Sequence, residues 1–288
     1  MQKMKIETEE QLININGVLK KVEDVTKEEW LELDCKSLND EVGNLNLEDG
    51  IECDICKNKG FVSIIEDSYI IQKRCECWNK RLVVNRLKNC GITKELFEKY
   101  SFKSFETTDE WQMKLKNIVL DYNSAIKNGA KHWLCISGQS GCGKSHLCTA
   151  TFKKFLLSNI DCEYLLWNDE FPKILALEKS TAEDNQIKYA QKIKRLQSVE
   201  VLYIDDFLKL TDNKYTNDSL SLAYKILNNR YINNKITILS SEFSKTQIEQ
   251  LDVAIWGRIN EMTSCGKYWI SIKNDPSRNY RAKNNKEI

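Results

Sequence analysis

The sequence predicts an α/β fold, in which a parallel sheet is covered by helices on both faces and is preceded by a small cysteine-bearing module. Short apolar segments of strand length alternate with helical patterns from about residue 100 onward, and this alternation is typical of parallel sheets. A glycine-rich loop joins one such strand directly to a helix, and two close cysteine pairs flank a hairpin pattern near residue 60. We therefore expect an acidic helical segment over residues 1–50, a cysteine module with a basic linker helix over 51–90, and the α/β domain over 91–288.

Composition excludes several classes of protein. The chain has 288 residues, of which 41% are hydrophobic, enough for a sizeable core. Its net charge of +1 gives no overall basic surface of the kind that marks a histone-like DNA binder. No secretory signal opens the sequence, and no apolar run reaches the roughly 18 residues of a membrane span. We therefore expect a cytoplasmic protein without membrane contact, whose 11 cysteines are reduced thiols or metal ligands.

The first 50 residues are acidic, with 6 basic and 13 acidic side chains and a net charge of −7. Within them the pattern predicts a helix from Val25 to Leu38. Thr26, with Glu29 three residues later, fits a capping box at the start of this helix. Acidic helices of this kind are most often solvated; the alternative is an element that docks against a basic surface of a partner.

Four cysteines within residues 53–77 have the spacing of metal ligands. They are Cys53-x-x-Cys56 and Cys75-x-Cys77, with 18 residues between the pairs. The intervening segment contains two runs of β-forming residues, 61–65 and 69–72, separated by the turn Asp67-Ser68. Four thiolates around a hairpin suit a tetrahedral Zn²⁺ whose closed shell is structural rather than catalytic; the alternative is four reduced structural thiols. A basic helix over 78–88 is expected to follow this module.

The elements of the α/β domain follow from its apolar runs. Helical patterns cover residues 109–127, 144–157 and 185–197. Strands are expected at residues 133–137, 162–167, 201–204, 236–240 and 268–272. The loop between the first of these strands and the helix at 144–157 has the most specific chemistry.

This loop, Gly138–Ser145, reads GQSGCGKS and fits the phosphate-binding pattern G-x-x-x-x-G-K-[ST] at every fixed position. Gly141 and Gly143 allow a close approach to phosphates, which the backbone N–H groups at the helix start then face. Lys144 is expected to reach the β- and γ-phosphates and Ser145 to bind Mg²⁺; the alternative is a glycine-rich turn without a ligand. The loop by itself indicates ATP or GTP. The residues expected to contact the nucleotide are Gly138, Gln139, Ser140, Gly141, Cys142, Gly143, Lys144, Ser145 and His146.

A second acidic motif, Asp205-Asp206, ends the strand at 201–204. Two adjacent carboxylates beside a buried strand are costly unless they hold a cation or a water. In nucleotide hydrolases with this phosphate loop, one such Asp helps to hold Mg²⁺ and a further group orients the attacking water. We assign Asp205 to magnesium and Asp206 to the water; the alternative is an ordinary strand end with solvated carboxylates.

Together these features resemble the AAA+ ATPases of the bacterial helicase-loader type, DnaC and DnaI, and their relatives, the IstB transposition ATPases. The resemblance covers residues 95–282 and, more loosely, the cysteine segment before them. It rests on five segments: YSFKSF at 100–105, IDDF at 204–207, ILSSE at 238–242, IWGRI at 255–259 and NYR at 279–281.

The resemblance implies roles for further residues. Arg258 corresponds to an arginine finger, which stabilises the γ-phosphate bound by a neighbouring subunit; without the resemblance it would be interpreted as a surface ion-pair partner. Glu242 stands where loaders usually have the sensor Asn, so this role falls on Ser241. Arg281 is assigned to the same nucleotide, the alternative being a basic tail. Because Asp206 is shorter than the Glu of many AAA+ ATPases, hydrolysis is expected to be slow and dependent on assembly.

The partners are also implied by the resemblance: a replicative DNA helicase, single-stranded DNA, and further copies of the chain around a shared ATP site. Only 16 residues follow Ile272, too few for the helical lid of most AAA+ ATPases, so ATP is expected to act as an assembly switch. The stretch 185–197 offers Lys188, Lys192, Lys194 and Arg195 to DNA, although such runs are more often solvated helix faces. The alternatives are an IstB-like transposition helper ATPase, a small-molecule kinase with the same loop, and a zinc-based nucleic-acid adaptor with a degenerate ATP site.

Overall fold

The computed structural model describes residues 12–15, 17–210 and 215–280. The chain forms two compact units, with the boundary between Asn85 and Arg86. No helix within the described ranges is long and apolar enough to cross a lipid bilayer. The three-part division expected from the sequence, with boundaries after residues 50 and 90, stays a prediction.

The N-terminal unit is built from two antiparallel hairpins and short helices. Its elements, in chain order, are β1 (Leu12–Ile15), β2 (Val18–Lys21), α1 (Lys27–Asp40), α2 (Leu45–Asp49), β3 (Phe61–Glu66) and β4 (Tyr69–Arg74), followed by α3 (Cys77–Cys90). At the start of α1, the Glu29 N–H donates to Thr26 Oγ1 at 3.2 Å and the Thr26 N–H donates to Glu29 Oε2 at 3.0 Å. This confirms the predicted capping box and helix, although the helix begins and ends two residues later than predicted.

The hairpin between the cysteine pairs is the one the sequence predicts. β3 and β4 pair from Phe61 opposite Arg74 to Glu66 opposite Tyr69. Asp67 and Ser68 connect them with φ angles of 51° and 64°, as a tight two-residue turn between antiparallel strands requires. The hairpin ends therefore bring the residues before β3 and after β4 together.

The second unit contains a five-stranded sheet with the strand order β6-β7-β8-β5-β9, in which all neighbouring strands are parallel. Its elements are α4 (Lys94–Lys99), α5 (Glu110–Lys127), β5 (Leu134–Ser137), α6 (Lys144–Leu157), β6 (Cys162–Leu166), α7 (Trp167–Glu178), α8 (Glu183–Ser198), β7 (Val201–Asp205), α9 (Asn217–Ile232), β8 (Ile236–Ser241), α10 (Lys245–Leu251), α11 (Val253–Met262) and β9 (Trp269–Ser271). Between Ser271 and residue 280, one further element is described, the 3-10 turn Pro276–Arg278.

Helices cover both faces of this sheet, which confirms the predicted fold class. β7 is buried along its whole length, and its side chains alternate between the two faces. Leu202 and Ile204 belong to the core that includes buried residues of α7, α8, α9 and α11. Tyr203 points to the opposite face, where its ring lies 5.8 Å from that of Phe152 on α6.

Trp167 corrects one predicted boundary, because it begins α7 instead of ending the preceding strand. Its indole is fully buried and stacks on Phe171 with ring centroids 5.7 Å apart. Residues four apart face each other on a helix but not on a strand. Trp167 is therefore part of the apolar face of α7, although in the sequence it directly follows the apolar residues of β6.

Candidate nucleotide and metal sites

The glycine-rich loop connects β5 to α6 at the edge where the parallel strands end. Gly143 has a φ of 90°, and a side chain there would come within 2.8 Å of the Phe105 ring. Both the backbone and the space therefore require glycine immediately before the first turn of α6. The start of α6 opens on a cavity of about 490 Å³. The loop and helix residues that line this cavity are Ser140, Gly141, Gly143, Lys144, Ser145 and His146.

The segment after β9 holds the loop in place. Gln139 Nε2 donates to Asp275 O at 2.6 Å, and the Asp275 N–H donates to Gln139 Oε1 at 2.7 Å. The Tyr280 N–H donates to Gly141 O at 3.0 Å. Gln139 therefore fastens the loop with its side chain, and it does not line the cavity with Ser140 and Gly141; nor do Gly138 and Cys142.

Lys144, Ser145 and Asp205 converge on the cavity from α6 and β7. Lys144 is 5% exposed, and its Nζ donates to Gln139 O at 2.9 Å. Ser145 Oγ donates to Asp205 Oδ1 at 2.9 Å. A hydroxyl and a carboxylate oxygen side by side are donors that suit Mg²⁺. These two residues could therefore hold the ion, while Lys144 offers a cation to phosphate oxygens.

Two hydroxyl groups that the sequence did not single out orient the Asp205 carboxylate. Ser240, on β8, donates to Asp205 Oδ1, and Tyr164, on β6, donates from its phenol to Asp205 Oδ2 at 3.2 Å. Burial, followed by the charge of Asp205, raises the pKa of Tyr164, so the phenol remains a donor. Ser240 could have been found as a polar residue near the end of a predicted strand. Tyr164 could not, because only the strand order places β6 beside β7.

Asp206 is half-buried at the next position and lines the same cavity. Its φ is 52°, a left-handed conformation that is uncommon outside glycine. The Asp206 N–H donates to Ser240 Oγ at 3.1 Å. Burial, followed by the neighbouring charge of Asp205, raises the pKa of the Asp206 carboxyl, which suits a group that takes up a proton from water.

Aromatic residues form another part of the cavity wall. The His146 ring lies 4.8 Å from Tyr100 and 5.2 Å from Phe105 between centroids. His146 Nε2 lies 2.8 Å from Ser101 O, and burial lowers the pKa of the imidazole. A neutral ring among aromatic neighbours offers a flat apolar surface of the kind that nucleotide bases stack on.

The N-terminal unit contains a separate cluster of four cysteine thiols. The Sγ atoms of Cys53, Cys56, Cys75 and Cys77 all lie within 4.8 Å of one another. Cys53 Sγ lies 3.7 Å from Cys75 Sγ, and Cys56 Sγ lies 3.5 Å from Cys77 Sγ. A tetrahedral zinc with bonds of about 2.3 Å has sulfur–sulfur edges of about 3.8 Å. The donor set and its spacing therefore fit the predicted Zn²⁺ site.

Polar neighbours of the cluster favour thiolates. The Gly60 N–H donates to Cys56 Sγ and Arg81 Nε donates to Cys77 Sγ, each at 3.3 Å. Arg81 is 2% exposed and is held by Asp49 Oδ1 at 2.7 Å. Burial raises the pKa of the Cys56 thiol, but the Gly60 N–H and the neighbouring thiols bring it down to about 7. In contrast, burial raises the pKa of Cys77 to about 12. Cysteine ligands bind zinc as thiolates, so a bound Zn²⁺ would favour the deprotonated form there.

The second unit matches a known family. Residues 96–265 match the model of the bacterial DnaA ATPase domain, which is more than half of the chain. The chain belongs to this family. The match confirms the expected AAA+ ATPase domain and covers the phosphate loop, Asp205, Asp206 and Arg258.

Individual proteins are similar to this chain over more than half of its length. The phage-like element PBSX protein XkdC of Bacillus subtilis (strain 168) is 29% identical over 231 residues, which cover 77% of this chain and 82% of XkdC. The uncharacterized protein YqaM of the same strain is 29% identical over 219 residues, 73% of this chain and 66% of YqaM. A crystal structure of DnaI has the same fold, with a TM-score of 0.50 and 19% identity, over 64% of this chain and 93% of the chain in that crystal structure.

Within this DnaA-family domain, the structure brings Glu242 rather than Ser241 to the cavity. Ser241 is fully buried, and its hydroxyl donates to Phe207 O at 2.9 Å and accepts from the Phe243 N–H at 3.1 Å. The reason is that β8 continues through Ser241, whose side chain is used to hold the neighbouring strand end. Glu242 follows the strand and is paired with Lys209 at 2.9 Å.

Arg258 does not line the cavity of its own domain. On α11, its Nε donates to Asn228 Oδ1 at 2.7 Å and its guanidinium lies 4.7 Å from the Tyr224 ring centroid. The role of Arg258 toward a neighbouring subunit stays a prediction. Arg281, assigned to the nucleotide from the sequence, lies outside the described residues.

The basic stretch on α8 is partly neutralised. Lys192 Nζ lies 3.3 Å from Glu163, and Arg195 pairs with both Asp161 and Glu163. Lys188 and Lys194 are exposed. Of the four basic side chains expected to offer charge on this helix, two are therefore paired with carboxylates and two are exposed.

Proposed function

We propose that the chain is an ATPase that loads a replicative helicase onto DNA during replication, with ATP as the switch for its assembly. One observation carries the nucleotide part: Lys144, Ser145 and Asp205 converge on one cavity, and the Ser145 hydroxyl lies 2.9 Å from the Asp205 carboxylate. An ammonium beside a hydroxyl and a carboxylate meets the needs of phosphates and of Mg²⁺. Membership of the DnaA ATPase domain family supports ATP as the nucleotide.

Each residue has a distinct part in this proposal. Lys144 holds the β- and γ-phosphates, and Ser145 and Asp205 hold Mg²⁺, which neutralises charge on the phosphates when it is bound. Asp206 orients the attacking water and accepts its proton. Hydrolysis is slow because the short Asp206 side chain reaches the water less closely than a glutamate would.

The helicase part of the proposal rests on the resemblance to loaders of the DnaC and DnaI type. The N-terminal unit, with its zinc-fitting thiols, would grip the helicase. The ATPase unit would associate with further copies of itself, with Arg258 reaching the γ-phosphate of the next subunit. On α8, exposed Lys188 and Lys194 support contact with single-stranded DNA, and such binding weakens steeply with salt.

Lys144→Ala is expected to weaken Mg-ATP binding roughly tenfold to a hundredfold, because it removes a charge-assisted contact to phosphate. Isothermal titration calorimetry with a non-hydrolysable ATP analogue measures this change. Lys153→Ala is the matched control, because Lys153 is on the same helix and its Nζ also donates to a backbone carbonyl, Phe97 O at 2.8 Å. Equal affinities of the two variants would contradict the assignment of Lys144.

The helicase proposal is tested by co-purification with a replicative helicase in the presence of ATP, of ADP and of no nucleotide. The wild-type chain is expected to retain the helicase when ATP is present. Lys144→Ala is expected to abolish the dependence of this association on the nucleotide. Cys53→Ser is expected to abolish the association itself. Absence of association in every condition would refute the loader. Capture of a transposase instead would favour the IstB-like helper, and phosphate release stimulated by a small metabolite but not by DNA would favour the kinase.

A further inference from the structure

Lys209 lies in the nucleotide cavity between two carboxylates. Its Nζ is 2.9 Å from Glu242 Oε1 and 3.9 Å from Asp206 Oδ2, and all three side chains are 26% exposed. All three residues line the cavity with Lys144 and Asp205. We propose that Lys209 contributes to the preference for ATP over ADP: it leaves Glu242 for the terminal phosphate of a bound triphosphate, which Lys144 also contacts. This inference rests on the nucleotide binding proposed above.

The backbone around Lys209 is held at the strand ends beside the magnesium-fitting residues. Phe207 and Leu208 are fully buried, and the Phe207 N–H donates to Ser240 O at 2.7 Å. The Lys209 N–H donates to Asp206 O at 2.9 Å, which closes a turn directly after β7. The backbone of Lys209 is therefore held in place, and its long side chain moves mainly by changing rotamer.

This turn is strained, and its strain indicates a positioned loop. Asp206 and Leu208 have φ angles of 52° and 65°, and left-handed conformations of residues other than glycine persist only where the surroundings enforce them. Here the burial of Phe207 and Leu208 does so.

Charge explains why the pair responds to the terminal phosphate. The cavity wall carries four carboxylates, those of Glu106, Asp205, Asp206 and Glu242, and the phosphates of a nucleotide add further negative charge. In the absence of a terminal phosphate, Lys209 pairs with Glu242. When ATP is bound, its terminal phosphate competes with Glu242 for the Lys209 ammonium. ADP lacks this group. ATP therefore favours the position of Lys209 away from Glu242, whereas ADP does not.

The test compares the affinities of ADP and of an ATP analogue with a methylene bridge between the β- and γ-phosphates, both with Mg²⁺, by isothermal titration calorimetry. Lys209→Met is expected to weaken the ATP analogue roughly tenfold to a hundredfold and ADP less than about threefold. Glu242→Gln is expected to tighten the ATP analogue a few-fold, because it releases Lys209, and Lys209→Arg to keep the preference for the triphosphate. Lys235→Met is the matched control, since Lys235 has a similar pair with Glu200 at 2.7 Å and 29% exposure.

Three outcomes separate this inference from the proposed function. Wild-type chain that binds neither nucleotide would refute the proposed function itself. Wild-type chain that binds both, with neither affinity changed in Lys209→Met, would refute the inference alone. Equal weakening of both nucleotides in Lys209→Met would also refute it, because Lys209 would then only support the shape of the cavity.

Discussion

Replacement of Cys56 with serine, or removal of zinc by a chelator, is expected to unfold the N-terminal unit and leave the ATPase unit folded. Among the described residues before the boundary at Asn85, the buried apolar side chains are Ile15 and the thiols of Cys56, Cys75 and Cys77. So small an apolar core does not stabilise a domain of this size. Structural zinc contributes about 10–16 kcal/mol of apparent binding free energy at neutral pH, which exceeds the stability of most small domains.

This first expectation is checked by zinc content, by limited proteolysis and by amide resonances of the N-terminal unit in the full chain. Cys35→Ser is the control in the same unit: the Cys35 thiol donates to Ser63 O at 3.3 Å, and a serine hydroxyl makes the same hydrogen bond. One bound zinc per chain and an unchanged proteolysis pattern in Cys56→Ser would contradict the role of this thiol as a ligand.

The sequence predicted features that depend on neighbours in the chain. The phosphate loop, the capping box at Thr26 and the turn at Asp67 are each set by residues a few positions apart, and the structure has all three. The strand ends were less well predicted. At Trp167 an apolar run continues without interruption from a strand into a helix, so composition alone does not mark the change.

Features that depend on the order of the strands were not predicted. The neighbours of Asp205 at its two carboxylate oxygens come from β8 and β6, which are 35 and 41 residues away in the chain. Lys209 was only one of several basic residues in the sequence, and its pairing with Glu242 follows from the contact between the ends of β7 and β8. The hairpin β1–β2 was also missed, because its four-residue strands are too short to show a clear alternation.

Arg230 is another residue whose role the sequence did not reveal, and Arg230→Met is expected to lower the stability of the ATPase unit by about 4 kcal/mol. Its side chain is fully buried. It donates to Leu196 O at 2.9 Å, Val199 O at 2.8 Å and Thr237 Oγ1 at 2.9 Å, and also to Ile236 O. Burial lowers the pKa of Arg230 to about 9, so the guanidinium stays charged at pH 7.

The expected loss for Arg230→Met is large because one buried guanidinium donates to backbone carbonyls at the end of α8 and at the start of β8. α8 ends at Ser198, and the last carbonyls of a helix have no partner within the helix. A methionine fills the space of the side chain but leaves those oxygens buried and unpaired, at a cost of about 1–3 kcal/mol each. For a unit of this size, the melting temperature should fall by roughly 8–16 °C in calorimetry of the full chain.

Arg195→Met provides the comparison, because it removes a guanidinium that also makes several hydrogen bonds but is 38% exposed and faces Asp161 and Glu163. An ion pair of this exposure contributes less than about 1 kcal/mol, so Arg195→Met should shift the melting temperature far less than Arg230→Met does. Arg230→Lys should fall between the two, since an ammonium donates to some of the carbonyls but does not span them all. Similar melting temperatures for Arg195→Met and Arg230→Met would show that the buried carbonyls between α8 and β8 find other donors, and that Arg230 is not what joins these elements.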